Sequence, residues 1–149
     1  MAKGFSILEL AIAVLILLLL ASIGTAAFFR FRDAQELARA MDDAMDLVRE
    51  ARSRTLASEL DNQFGVHFES GRAVLFQGAS YAEGAAGNKA YPFSPRVEAY
   101  SITVPGSAVV FERLTGNASG AGSVSFRLKS DPSKIRAFTI TVTGLLYAQ

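Results

Sequence analysis

Lys3-Gly4-Phe5-Ser6-Ile7-Leu8-Glu9-Leu10 opens the stretch that decides the fold. The run LAIAVLILLLLASIGTAAFF over 10–29 follows it, with no charge and only Ser22 and Thr25 as hydroxyl residues. At about 1.5 Å rise per residue the run makes a helix of about 30 Å, the thickness of a bilayer's hydrocarbon core. Glu9 sits inside the apolar segment rather than beyond it. A carboxylate in lipid costs about 2.5–3.5 kcal/mol on insertion scales, so Glu9 is expected to have a function and a partner. The bland alternative is a Glu9 solvated at the membrane face.

The segment Gly4-Phe5-Ser6-Ile7-Leu8-Glu9-Leu10 resembles the processing site of type IV pilins and type II secretion pseudopilins. In that class a short basic leader ends in Gly, Phe follows, and a Glu falls five residues into the mature chain. Leader Met1-Ala2-Lys3-Gly4, Phe5, Glu9 and the apolar helix match each element. The resemblance implies that a prepilin peptidase/methyltransferase cuts between Gly4 and Phe5 and N-methylates Phe5. It also implies an assembly salt bridge in which the Glu9 carboxylate of an incoming subunit is neutralised by the Phe5 amine of a neighbour. Opposite charges attract strongly in a low-dielectric medium, and an unpaired Glu9 there is expensive, so this pairing would set the axial register.

Two other readings compete. A cleaved secretory signal has an apolar core of about 7–15 residues and a small-residue site. Gly24-Thr25-Ala26 would serve as that site, but the run is longer and carries Glu9 near its start. A plain anchor explains the length but not Gly4, Phe5 and Glu9 together. For orientation, Lys3 precedes the span while Arg30 and Arg32 follow it, which by simple counting favours the opposite topology. The resemblance places the bulk of the chain outside the cytoplasm, as a single-pass protein of the bacterial inner membrane, and the expectation follows it.

The chain has 149 residues, half of them hydrophobic, and a net charge of +1. Removing the span leaves about 120 residues, enough for one compact core but not two. The absence of Cys excludes cysteine nucleophiles and cysteine-ligated metals without fixing the compartment. Charges are mixed, with no long run of one sign.

From Arg30 onward the pattern stays helical. Leu37, Met41, Ala44, Val48, Ala51 and Thr55 recur at steps of four and three, with Ala38 and Met45 beside them. Glu36, Arg39, Asp42, Asp43, Asp46, Arg49, Glu50 and Arg54 take the other face, with Arg32/Glu36 and Glu50/Arg54 four apart. No Pro or Gly interrupts the run from Thr25 to Asp61. One helix over Phe5–Leu60 is expected: leader 1–4, transmembrane segment 5–29, amphipathic continuation 30–61. The small-residue stripe suits close packing on a sheet.

Strand signals begin after Asp61-Asn62 and fill 62–149. Phe64–Glu69 alternates, Ser70-Gly71-Arg72 turns, and Ala73–Gln77 runs back as a hairpin. Gly78–Pro95 reads as a long surface loop, a candidate contact region on grounds of length, or one packed down by Tyr81, Tyr91 and Phe93. Further strands are expected over Val97–Val104, Ala108–Leu114, Val124–Lys129 and Ile135–Thr143, with Phe138/Ile140/Val142 on one face. Thr115–Gly122 and Ser130–Ser133 are connecting turns. The expected fold class is α+β and pilin-like: a long N-terminal helix packed on a C-terminal antiparallel β domain of about six or seven strands.

This downstream order is similar to the GspH/FimT group, the minor pseudopilins of type II secretion and minor pilins of type IV pili. Where many pilins carry a Pro near the end of the membrane segment, Ala26 and Ala27 stand here. The cysteine pair of major pilins and the calcium loop of major pseudopilins are both missing from the sequence, which favours a minor subunit.

Enzyme readings are poor. His67 is the only histidine and falls mid-strand, and no G-x-S-x-G, P-loop or H-E-x-x-H occurs. Asp42/Asp43/Asp46 on a helix face lacks the shaped loop of oxygens a hard cation wants. Gly120-Ala121-Gly122 opens no helix, and the Asn117-Ala118-Ser119 sequon is a common triplet. No catalytic, metal or cofactor site is expected. The second function class is a DNA-binding minor pilin serving uptake. Its weak candidate contact is Arg127, Lys129, Lys134 and Arg136 around the Asp131-Pro132 turn, a set that ordinary edge protection also explains. The sequence therefore reads as a non-enzymatic filament subunit, assembling with other pilins or pseudopilins into a type II secretion pseudopilus. The alternative is a minor type IV pilin in pilus assembly or DNA uptake.

Overall fold

The structure, a computed structural model, describes residues 4 and 6–149, the side chains of 23–27 excepted. The chain divides into two compact units, Met1–Ala34 and Gln35–Gln149. One helix, α1 (Ile7–Leu56), contributes to both.

In the first unit α1 starts where Ser6 supplies a cap. The Ser6 Oγ accepts the Leu8 N–H at 3.3 Å and its carbonyl accepts the Leu10 N–H at 3.1 Å. Every described side chain here is exposed except half-buried Asp33, and these include Leu8, Leu10, Leu15, Leu17, Leu20, Phe28 and Phe29. Among the described residues no helix is long and apolar enough to cross a membrane. The expected span 5–29 includes Phe5 and the side chains of 23–27, which lie outside the described residues.

In the second unit the stripe Leu37, Met41, Ala44, Val48, Ala51 and Thr55 is buried, as the spacing predicts. Met45 joins it, Ala38 is only half-buried, and Ala40 and Leu47 widen the buried face. The helix ends at Leu56, short of the expected Leu60. Ser58, Leu60 and Asp61 adopt φ of 51°, 53° and 56°, so the chain leaves the helix through left-handed residues that carry side chains. The usual stop signal at such a position is Gly, which is why composition overruns the end. A single turn of 3₁₀ helix over Glu59–Asp61 leads into the first strand.

Eight strands follow among the described residues: β1 (Phe64–Phe68), β2 (Arg72–Gln77), β3 (Lys89–Pro92), β4 (Val97–Ile102), β5 (Ala108–Val110), β6 (Gly122–Leu128), β7 (Ile135–Ile140) and β8 (Leu146–Ala148). They form two four-stranded sheets ordered β3-β2-β1-β5 and β4-β6-β7-β8, with every pairing antiparallel. The expected hairpin is present as β1–β2. Several expectations need correction. The Gly78–Pro95 loop contains β3, an edge strand whose four residues are all exposed and so show no alternation. β8 was not expected, being three residues long and mostly exposed. The Ala108–Leu114 strand stops at Val110, with only an isolated Phe111–Ala118 bridge beyond, and Leu114 is 94% exposed. Val142 lies past the end of β7 and is exposed.

Helix and both sheets share one core. It includes Leu37, Val48 and Ala51 from α1, Val66 and Phe68 from β1, Val124 and Phe126 from β6, and Phe138 and Ile140 from β7. Phe68 meets Phe138 edge-on at 6.1 Å, so β1 and β7 touch across the two sheets. Phe93 packs edge-on against Phe126 at 5.1 Å. Burying each large apolar side chain contributes about 1.5–3 kcal/mol. The architecture is α+β: an N-terminal helix packed on an antiparallel β domain.

Candidate functional site

Of the N-terminal motif, Gly4 is exposed with no atom within 4 Å of where a Cβ would stand. Phe5 lies outside the described residues, so the Gly4–Phe5 cleavage, the Phe5 methylation and the Glu9–Phe5 pairing have one partner there. Glu9 is exposed in the first turn of α1. The positive end of the helix dipole favours a carboxylate at that place.

The basic candidates surround one turn without sharing a face. Phe126 faces Arg136 across β6–β7, and Arg127 faces Ile135. Opposite residues of an antiparallel pair project to the same side, so Arg136 shares the core-facing side with Phe126 while Arg127 points to the other. Arg127 is also engaged: its Nε donates to Glu98 Oε1 at 2.7 Å and its guanidinium lies 5.0 Å from the Tyr100 ring centre. Lys129, Lys134 and Arg136 are exposed. Between them Asp131 accepts from the Ser133 hydroxyl at 2.6 Å and its N–H at 3.2 Å. The hydroxyl bond first, and the N–H bond after it, hold this carboxyl below its ordinary range.

The long loop is fastened to α1 and the core at its C-terminal end, through residues 91–94. Phe93 enters the core edge, and Tyr91 helps line a groove of about 650 Å³ beside α1, with Ala40, Ala44 and Leu47 as its apolar floor. The Ser94 hydroxyl donates to Glu36 there. Four of the helix residues lining this groove are acidic, but Asp46 is paired with Arg49 and Glu50 with Arg54.

Sequence reasoning missed a second cluster, on the face of β1–β2 turned away from α1. His67 stacks on Tyr81 with ring centres 4.0 Å apart and planes 8° apart. Tyr81 meets Phe76 edge-on at 5.6 Å, and its hydroxyl donates to Glu69 Oε1 at 3.4 Å. Arg72 grips Glu69 from Nε at 2.7 Å and Nη2 at 3.0 Å, and reaches Glu83 at 4.0 Å. The Arg72 hydrogen bond holds the Glu69 carboxyl below its usual range. Burial pushes His67 down, against the pull of Glu69 and with the help of Arg72. Burial, seconded by Glu69, pushes the Tyr81 hydroxyl up. The one legible signal was a histidine alternating with aromatics, since nothing local says that Tyr81 returns to cover it. Among the described residues no group of three or more His, Asp or Glu is placed to hold a metal ion.

No protein-family model and no curated protein sequence matches the chain. Among solved structures it is similar to the type IV minor pilin FimU of Pseudomonas aeruginosa strain PAO1, seen in two crystal forms. One superposes with a TM-score of 0.59 at 11% identity, covering 80% of this chain and 92% of that one. The other gives 0.56 at 10% identity, covering 76% and 92%. At such identity the likeness is one of fold. The chain has a type IV pilin-like fold.

Proposed function

We propose that this chain is a minor subunit of a type IV pilin-like filament, held in the bacterial inner membrane by residues 5–29 until it assembles, with 62–149 as its extracytoplasmic β domain. In this reading a prepilin peptidase/methyltransferase removes 1–4 by cutting between Gly4 and Phe5 and methylates the Phe5 amine. Glu9 then meets the Phe5 amine of a neighbouring subunit. The observation that carries the reading is the continuity of one helix: its exposed apolar first part runs on into the amphipathic part that packs on a pilin-like β domain. An exposed apolar helix needs either lipid or the like helices of other subunits around it.

The machine we infer is a type II secretion pseudopilus, in which the subunit serves protein transport. A second reading, a minor pilin of a type IV pilus in assembly or DNA uptake, draws support from the fold likeness to a minor pilin. Its DNA-binding form gains little from Arg127, which is already paired with Glu98.

The test is the mass and first residue of the protein isolated from membranes that hold its native processing machinery. A start at methylated Phe5 supports the proposal. A start at Ala27 makes it a secreted domain, and an intact Met1 leaves an ordinary anchor. Glu9→Ala is then expected to insert and fold but to enter filaments poorly. Unchanged incorporation would remove the Glu9–amine pairing from the mechanism.

A further inference from the structure

We propose that residues 78–88 form a clasp released by acid: closed over the outer face of β1–β2 while His67 is neutral, and lifted when His67 is protonated. Val74 and Phe76 are 2% and 1% exposed, yet neither belongs to the main core. Tyr81 covers this second apolar face from the loop, edge-on to Phe76 and stacked on His67. Gly65 allows the Phe76 ring to lie directly on the backbone, since a Cβ there would come within 2.5 Å of its Cζ.

The loop is braced within itself. The Asn88 N–H donates to the Ala85 carbonyl at 3.0 Å, and the Asn88 Nδ2 donates to the Ala82 carbonyl at 2.8 Å. Its side-chain ties to the sheet include the His67–Tyr81 stack, the edge-on contact of Tyr81 with Phe76 at 5.6 Å, the 3.4 Å bond from Tyr81 to Glu69 and the 4.0 Å contact from Glu83 to Arg72. The last two are long, and Glu83 is 85% exposed, so the two ring contacts of Tyr81 are the principal ties. Of these the His67 stack is the one that protonation can change.

The imidazole is the group on which the stack turns. His67 Nδ1 is buried with no hydrogen-bond partner. Neutral imidazole can leave a lone pair there, whereas imidazolium puts an N–H at both nitrogens and strands a donor without an acceptor. Of the groups facing the ring, Glu69 on the same strand and the π face of Tyr81 attract a cation. Arg72 from β2 repels one, and Glu83 from the loop lies beyond it. Val74 opposite in β2 and Ala108 opposite in β5 carry no charge. Burial outweighs the attraction, as the lowered affinity of His67 for a proton records. The sign follows from linkage. The closed clasp binds this proton less readily than an open one, where the ring regains its ordinary value of about 6.5. Closure is fully favoured above that value and weakens as the pH falls below it.

The experiment is chymotrypsin cleavage after Tyr81 in the full-length chain in detergent micelles, between about pH 7.5 and 5.5. Rates are normalised at each pH to an unstructured peptide of the same local sequence. The wild-type rate is expected to rise several-fold on acidification, and His67→Phe, which keeps the stack and cannot titrate, to stay slow at both ends. A pH-independent wild-type rate, or an equal rise in His67→Phe, overturns the proposal. Should His67→Phe fail to fold, the Tyr81 ring protons of the wild type decide by NMR. Losing their ring-current shift as His67 titrates supports release, and keeping it through that titration overturns it.

Discussion

The Thr55 hydroxyl joins the last buried turn of α1 to the first residue of β1. Its Oγ1 accepts the Phe64 N–H at 2.9 Å and donates to the Ala51 carbonyl at 2.9 Å, and the residue is fully buried. A strand's first amide has no ladder partner guaranteed, and the Thr55 hydroxyl supplies one to Phe64 while its own proton is held by the Ala51 carbonyl one turn back in the helix. This pins the start of β1 to α1 after the left-handed residues at Ser58, Leu60 and Asp61.

Thr55→Val keeps the shape and removes the hydroxyl, leaving the Phe64 N–H buried without an acceptor. The expected cost is about 1–3 kcal/mol. Thr55→Ser retains the bond and is expected to lose less than half as much. Urea unfolding of the two variants, with unchanged m-values, checks the ranking. Equal losses would mean that the γ-methyl, not the hydrogen bond, carries the effect.

The sequence made the N-terminal helix, the buried stripe and the β1–β2 hairpin readable because each obeys a periodicity that burial enforces. Leu37, Val48 and Ala51 must face one core, and Val66 and Phe68 the same core from a strand, so their spacing carries their geometry. β3 and β8 were not readable for the opposite reason. Lys89–Pro92 and Leu146–Ala148 are edge segments, and an exposed edge imposes no alternation. The helix end was overrun because Leu60 and Asp61 hold the left-handed conformation usually left to Gly.

Candidate sites divide along the same line. Gly4, Phe5 and Glu9 are contiguous in sequence and visible as a motif. The four basic residues also lie close in sequence, but strand parity separates Arg136 from Arg127, and Glu98, 29 residues from Arg127, takes up its charge. The His67–Tyr81 stack rests on a loop closing over the wrong face of a hairpin, and no local rule foretells that.

Asp131 gives a pH prediction at the turn between β6 and β7. The Ser133 hydroxyl and N–H hold its carboxyl below the ordinary aspartate value. Stabilisation of the turn by these bonds is therefore complete above that ordinary value and is lost as the pH falls through the lowered one. Ser133→Ala removes the hydroxyl bond and leaves the N–H, so Asp131 is expected to titrate higher than in the wild type yet still below the ordinary value. Carboxyl carbon shifts of Asp131 followed by NMR across acid pH measure it. No upward movement would assign the lowered value to something other than the hydroxyl.

Gly65 and Gly71 lie six residues apart and are expected to answer the same substitution in opposite ways. A Cβ on Gly65 would stand 2.5 Å from Phe76 Cζ and 2.6 Å from the Val109 carbonyl oxygen, whereas nothing lies within 4 Å of one on Gly71. Gly65→Ala must move a ring wedged under Tyr81 and also part β1 from β5, so a loss of about 1–3 kcal/mol or more is expected, as for other overpacked sites. Gly71→Ala is expected to stay within about 0.5 kcal/mol of the wild type. Adding Phe76→Leu to Gly65→Ala separates the two contacts. Leucine withdraws the Cζ but leaves the Val109 carbonyl, so the pair is expected to recover only part of the Gly65→Ala loss, after the cost of Phe76→Leu alone is subtracted. Full recovery in that double-mutant cycle would place the whole constraint on the ring, and none would place it on the backbone of β5.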